Sequence, residues 1–177
     1  MRVPRKSQPA DPGAVEAPRD RRGASLLARA VALLARREHS RAELARKLLR
    51  RLDEGQDRAD VDAVLDDLQR RTLLSDERFA ASLVRTRAPR YGAARLKLDL
   101  KARGVPAAIA AEALNRFSAG DGGSEFDRAR VVWSRRFGAA PQSLAERARQ
   151  ARFLEARGFS SEVIGKVLRG LAGDDDA

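Results

Sequence analysis

Few residues in this chain have side chains suited to covalent chemistry. A lone histidine, His39, stands beside Ser40, and such a pair can serve as base and nucleophile. Both fall where one helical pattern stops and another begins, and Ser40 is placed to cap the second, so a structural role is expected. Asp60, Asp62, Asp66 and Asp67 cluster in sequence. At helical spacing beside Arg58, Arg70 and Arg71 they read as a solvated face. Gly120, Gly122 and Gly123 are not followed by Lys-Ser/Thr, which excludes a phosphate-binding P-loop and leaves a linker. The chain has no cysteine. With one histidine and dispersed carboxylates, no transition-metal site is expected. The expectation is therefore a chain that is not an enzyme, with no catalytic residue, metal or cofactor.

What the sequence does offer is arginine. It has 36 basic against 25 acidic residues, a net charge of +11, and only five of the basic residues are lysine. A polyanionic partner or an acidic protein surface would suit such a chain. A GC-rich genome would also produce the arginine bias, and both readings stay open. The excess is uneven. Residues 1–24 carry +3, residues 25–72 carry +2, residues 73–118 carry +5 and residues 119–177 carry +1. In the basic middle, Arg87 and Arg90 flank a turn, Lys97 and Lys101 share a helical face with Arg95 nearby, and Arg103 follows. Arg135, Arg136, Arg149 and Arg152 continue the theme. These ten residues form the candidate binding surface, able to contact phosphates without reading base sequence. Tyr91 and Trp133 could stack on bases. Trp133 lies on an apolar stripe and is expected in the core, whereas Tyr91, before a Gly92 turn, is harder to place.

The elements that must position these residues are helices. Leu27, Ala30, Val31 and Leu34 fit one helical face. Ser40 and Glu43 form a capping box ahead of the Leu44, Leu48 and Leu52 stripe, and Val61, Val64, Leu65 and Leu68 mark a third helix. Ser75 then caps a helix carrying Phe79, Ala80, Leu83 and Val84, which Pro89 ends. A helix over 93–103 stops at Gly104 in the C′ position, and Pro106 opens the next. Phe126, Ala129, Trp133 and Phe137 share a helix. Leu144, Ala148, Ala151 and Leu154 share another, stopped by Gly158. Val163, Ile164, Val167, Leu168 and Leu171 form the last stripe. Leu96 to Leu100 alternates like a strand but also fits a helix, and helix is the assignment.

Internal similarity organises these helices. Leu100-Lys101-Ala102-Arg103-Gly104 matches Leu154-Glu155-Ala156-Arg157-Gly158 at an offset of 54 residues. The first block repeats the pattern more loosely. The reading is an all-α chain of three tandem three-helix repeats, elongated and curved, at 25–72, 73–118 and 119–172, the last including a glycine-rich linker. A proline-rich, basic, disordered tail is expected at 1–24 and a short acidic tail at 173–177. No apolar run approaches the ~18 residues of a spanning helix, and no secretory signal is evident. A cytoplasmic protein is expected, with no membrane partner.

Several of these motifs together resemble the RecX family, the bacterial regulators of the RecA recombinase. They are Arg37-Glu38-His39-Ser40 with Glu43-Leu44, then Leu74-Ser75-Asp76-Glu77-Arg78-Phe79-Ala80, Arg87, Tyr91-Gly92 and Arg95-Leu96. They continue through Leu100 to Val105, Arg136-Phe137-Gly138, Arg152-Phe153-Leu154, Arg157-Gly158-Phe159 and the helix from Ile164 to Leu168. The resemblance covers about residues 25–171. It implies a helical-repeat monomer that lies in the groove of the RecA–DNA filament, meeting RecA and DNA. It also implies inhibition of ATP hydrolysis and strand exchange, limiting recombination and the SOS response. Ser40, Phe79, Tyr91, Gly92, Gly104 and Gly158 are its structural positions. A sequence-independent DNA-binding helical-repeat protein is the alternative.

Overall fold

The computed structural model describes residues 19–120 and 122–170, which form nine α-helices and no strand. Residues 1–18 and 171–177 lie outside the described residues, and with them most of the expected proline-rich tail and the acidic tail. The first helix, α1 (Arg19–Leu34), nevertheless begins inside the segment assigned to the tail.

The first unit comprises α1, α2 (Arg41–Leu49) and α3 (Arg58–Arg70). The second comprises α4 (Asp76–Arg87), α5 (Ala93–Ala102) and α6 (Ala107–Ala119). The third comprises α7 (Glu125–Ser134), α8 (Leu144–Glu155) and α9 (Ser161–Gly170). In every unit the first helix packs most extensively on the third, so one three-helix packing recurs. Each has its own core. Leu26, Leu44, Leu48, Val61, Leu65 and Leu68 build the first, Phe79, Val84, Leu96, Leu100 and Leu114 the second, and Trp133, Leu154, Phe159, Val167 and Leu168 the third. Burying each of these large side chains contributes about 1.5–3 kcal/mol, and no unit has many of them, which favours an array over isolated units.

Local chemistry sets the helix ends. Ser40, Ser75, Ser124 and Ser143 each accept a hydrogen bond from the backbone N–H three residues on, the arrangement expected of N-caps and worth about 1 kcal/mol apiece. The expected capping box at Ser40 is incomplete, because the Glu43 carboxylate turns outward to Arg37. The full box occurs instead at α3, between Asp57 and Asp60. Pro106 sits just before the first turn of α6, as its N-cap. Gly104 and Gly158 end α5 and α8 at φ +76° and +80°. The N–H groups of Val105 and Phe159 reach back to the Leu100 and Leu154 carbonyls, a Schellman closure. Thr72 does the same after α3, at φ +56°.

Three stripe assignments shift. Leu26 faces the first core while Val31 is 43% exposed. Leu144 is 86% exposed, and α8 instead buries Gln150 and Leu154. The helix carrying Trp133 ends at Ser134, so Phe137 packs from the turn beyond it. Trp133 is buried, with its indole N–H donated to Gln150 Oε1 at 2.7 Å.

His39 and Ser40 are both buried and both committed. The imidazole Nδ1 donates to the Arg37 carbonyl (2.9 Å) and Nε2 accepts from Lys47 Nζ (2.8 Å). The Ser40 hydroxyl donates to the Arg103 carbonyl (2.6 Å). Burial, with the Arg37 and Lys47 charges, pushes the imidazole pKa below its ordinary value, against the weaker pull of the Arg37 carbonyl.

Candidate functional site

The joint between the second and third units is built at the start of α5. Its N-cap is Gly92, which has no side chain to offer the exposed amides of the first turn. The third unit supplies the acceptors. Gly92 N donates to the Arg157 carbonyl (2.9 Å), Ala93 N to Glu125 Oε1 (2.8 Å) and Ala94 N to the Gly158 carbonyl (3.2 Å). A Cβ on Gly92 would overlap the Gly158 carbonyl and lie 2.5 Å from the Phe159 nitrogen. One on Gly158 would lie 2.6 Å from Arg95 Cβ. Gly92 has an ordinary φ of −77°, so glycine is required there by close approach and not by the turn that the sequence suggests.

This joint creates a cleft of about 280 Å³. Pro89, Arg90 and Tyr91 line it from the α4–α5 turn, and Val132, Arg135, Arg136, Phe153 and Arg157 from the third unit. Four guanidinium-bearing residues therefore converge, and no carboxylate among the described residues lines the cleft. Aromatic rings hold several of the side chains. The Arg157 guanidinium lies 3.6 Å from the Phe153 ring centroid, and Arg136 and Arg149 each lie 5.8 Å from that of Phe137. Phe137 and Phe153 meet edge to face at 5.0 Å. Tyr91 is half-buried against the second core beneath the Arg87 guanidinium, 4.7 Å from its ring centroid. Guanidinium groups stay charged at any accessible pH and match phosphate and carboxylate oxygens in bidentate fashion. The cleft is thus equipped to hold an anion.

The ten basic residues singled out in the sequence divide into groups. Arg90, Arg135 and Arg136 meet in the cleft. Arg87, Arg95 and Arg103 turn instead to Asp99, which is only 8% exposed. Arg87 Nε stands 3.2 Å from Asp99 Oδ2, without an aligned hydrogen bond, and Arg95 Nε 3.6 Å from Oδ1. Arg103 donates to the Asp99 carbonyl at 3.1 Å. A buried carboxylate on α5 needs compensating charge, and Arg87 and Arg95 supply it. Lys97 and Lys101 stand exposed on α5 and form no ion pair among the described residues. Arg149 and Arg152 are exposed on α8.

Arg157 is the cleft residue that the charge pattern missed. The signal was present in the repeat, where Arg157 occupies the position of Arg103. Both donate to the carbonyl four residues back, Asp99 or Phe153, at 3.1 Å. What sequence could not supply is that Arg157 lines the arginine cleft while Arg103 lines a hollow shared with Glu38. No group of His, Asp or Glu among the described residues is arranged to hold a metal ion, and no described helix is long and apolar enough to cross a membrane.

Comparison with known proteins places this architecture. Family models described as "RecX, second three-helix domain" and "RecX, third three-helix domain" match residues 75–114 and 124–168. The chain is 50% identical over 145 residues to a regulatory protein RecX of Leptothrix cholodnii, covering 82% of this chain and 88% of that one. It is 47% identical over 146 residues to one from Ralstonia nicotianae, covering 82% and 87%. Among solved structures, RecX from Lactobacillus salivarius superposes with a TM-score of 0.72 at 20% identity, over 86% of this chain and 98% of that one.

Proposed function

The chain belongs to the RecX family of regulatory proteins, and from that premise we propose that it is a negative regulator of the RecA recombinase. In this reading it lies as a monomer along the groove of the RecA–DNA filament and inhibits ATP hydrolysis and strand exchange. Recombination and the SOS response are limited as a result. It works in the cytoplasm by occupancy, without catalysis, metal or cofactor. The observation that carries the reading is the arginine cleft between the second and third units, four positive groups with no carboxylate among the described residues that line it. An array of this kind can follow a long polymer, and the cleft can take a backbone phosphate or an acidic side chain from it.

The test is ATP hydrolysis by the cognate RecA on single-stranded DNA, with co-sedimentation of the filament. Wild-type protein added substoichiometrically should inhibit and co-sediment. Exchange of Arg90 and Arg136 for Gln should weaken both effects with helicity unchanged. Charge reversal at Lys97 and Lys101 tests the exposed face of α5 in the same assay. Full inhibition by the cleft variant would remove the cleft from the mechanism. Absence of wild-type inhibition and of co-sedimentation would sink the whole reading.

The carboxylate-free cleft also favours a second reading, sequence-independent binding of bare nucleic acid. Tight, steeply salt-dependent binding to DNA alone, with indifference to RecA, would select it.

A further inference from the structure

A second concavity, of about 680 Å³, lies between α4, α6 and α7 and is unlike the arginine cleft. Its floor is apolar, formed by Ala81, Ala113, Phe117 and Val131, and Val131 is 44% exposed. A volume of this size is typical of sites that bind organic groups, roughly 300–1,000 Å³. Arginines stand around that floor. Arg85, Arg128 and Arg135 line it and make no ion pair among the described residues. The fourth, Arg116, is already paired with Glu112 at 2.6 Å.

Arg128 is the most informative of them. Its Nη1 donates to the Gly122 and Gly123 carbonyls and its guanidinium lies over the Phe117 ring, so the side chain is fixed in place. Its Nε is buried with no acceptor, and burial pushes its pKa down, with Glu125 and Asp127 opposing. Among the described residues Asp127 is the one carboxylate lining the groove, and it already accepts the Ser124 hydroxyl at 2.6 Å. An apolar floor ringed by cations complements a ligand whose apolar side chains are flanked by carboxylates.

We propose that this groove docks an acidic amphipathic peptide segment of a partner protein. Its aliphatic side chains cover Phe117 and Val131, and its carboxylates pair with Arg85, Arg128 and Arg135. Pro89 and Arg135 line both this groove and the arginine cleft, so a bound peptide lies directly beside whatever anion the cleft holds. The inference does not depend on the function of the cleft.

The probe is a display library of random peptides selected on the full chain, with counter-selection on Val131→Arg. Val131 is surface-exposed, and far-UV circular dichroism checks that the variant folds. The expected result is enrichment of peptides that interleave aliphatic residues with Asp and Glu. Synthetic versions should bind about tenfold or more weakly to Val131→Arg and to Arg85→Glu. Binding of a short single-stranded oligonucleotide should not fall in Val131→Arg, which adds a positive charge. Failure to enrich any peptide overturns the proposal. So does enrichment of neutral or basic peptides, or of peptides indifferent to both variants. Loss of oligonucleotide binding in Arg85→Glu equal to its loss of peptide binding would make the groove part of a nucleic-acid surface and overturn it too. The filament assay can fail while this selection succeeds, and the reverse, so the two readings are separable.

Discussion

Exchanging Gly92 for Ala should uncouple the third unit from the second without disturbing either. At φ −77° and ψ 170° alanine has no backbone penalty, and its smaller unfolded-state entropy favours folding by about 0.4–1 kcal/mol. The added methyl nevertheless overlaps the Gly158 carbonyl and crowds the Phe159 nitrogen, so the joint must open. What is lost are the bonds to Gly92, Ala93 and Ala94 from the third unit, at roughly 1 kcal/mol each. The net cost is about 2–3 kcal/mol, or about two orders of magnitude in the opening equilibrium. Trp133 is the chain's one tryptophan and sits in the third core, so its fluorescence follows that unit while far-UV circular dichroism follows all the helices. In urea, the Trp133 transition should move to lower concentration and separate from the circular-dichroism transition. Amides 92, 93 and 94 should exchange about a hundredfold faster. Coincident transitions with an unchanged midpoint and protected amides would refute the joint as described.

Each of Arg90→Gln, Arg136→Gln and Arg157→Gln should lower the salt slope of single-stranded DNA binding by about one, if each meets one phosphate. Arg157→Gln should do so with the joint intact, because only the Arg157 carbonyl accepts from Gly92. His39 has a lowered pKa in the folded chain, so stability is complete above the unfolded value of about 6.5 and falls as pH drops below it. The urea midpoint should decline between about pH 7 and pH 5, and His39→Gln should flatten that decline. Thr72 stands at φ +56°, where a β-branched residue is strained by about 1–2 kcal/mol. Thr72→Gly should therefore raise the melting temperature, with a net gain up to about 1 kcal/mol after the entropic cost of glycine.

Periodicity and caps were enough to read nine helices in three units, because helix ends here are decided locally by serine hydroxyls and by glycines at left-handed positions. Stripe assignment was weaker. Val31 and Leu144 have the same spacing as buried neighbours, yet each faces solvent, since spacing fixes a helical face and not which part of it meets the partner helix. The charged residues were the least legible. Arg87 and Arg95 look like free surface until Asp99, on α5, is seen turned inward between them. Arg90, Arg135 and Arg136 were singled out for charge, but their convergence depends on the joint, which no local pattern encodes.

The two joints of the array use one device. The first acidic residue of the following unit, Asp76 or Glu125, accepts the first amide of the preceding unit's second helix, from Arg41 or Ala93. The carbonyl of the arginine before the glycine, Arg103 or Arg157, accepts from that helix's N-cap, Ser40 through its hydroxyl and Gly92 through its amide. The hollow beside the first joint, about 190 Å³, also holds three arginines, Arg37, Arg87 and Arg103. There, however, Arg37 is paired with Glu43 and Arg87 with Asp99, and Glu38 lines the same wall. Backbone groups, two carboxylates and the Ser40 hydroxyl fasten the joints, while side chains free of that duty set the charge of each hollow. The fastening can therefore stay fixed while the charge beside it varies. Within this chain that separation leaves one hollow with two of its three arginines paired and one cleft whose four arginines meet no carboxylate among the described lining residues, and of the two the second is better prepared for an external anion.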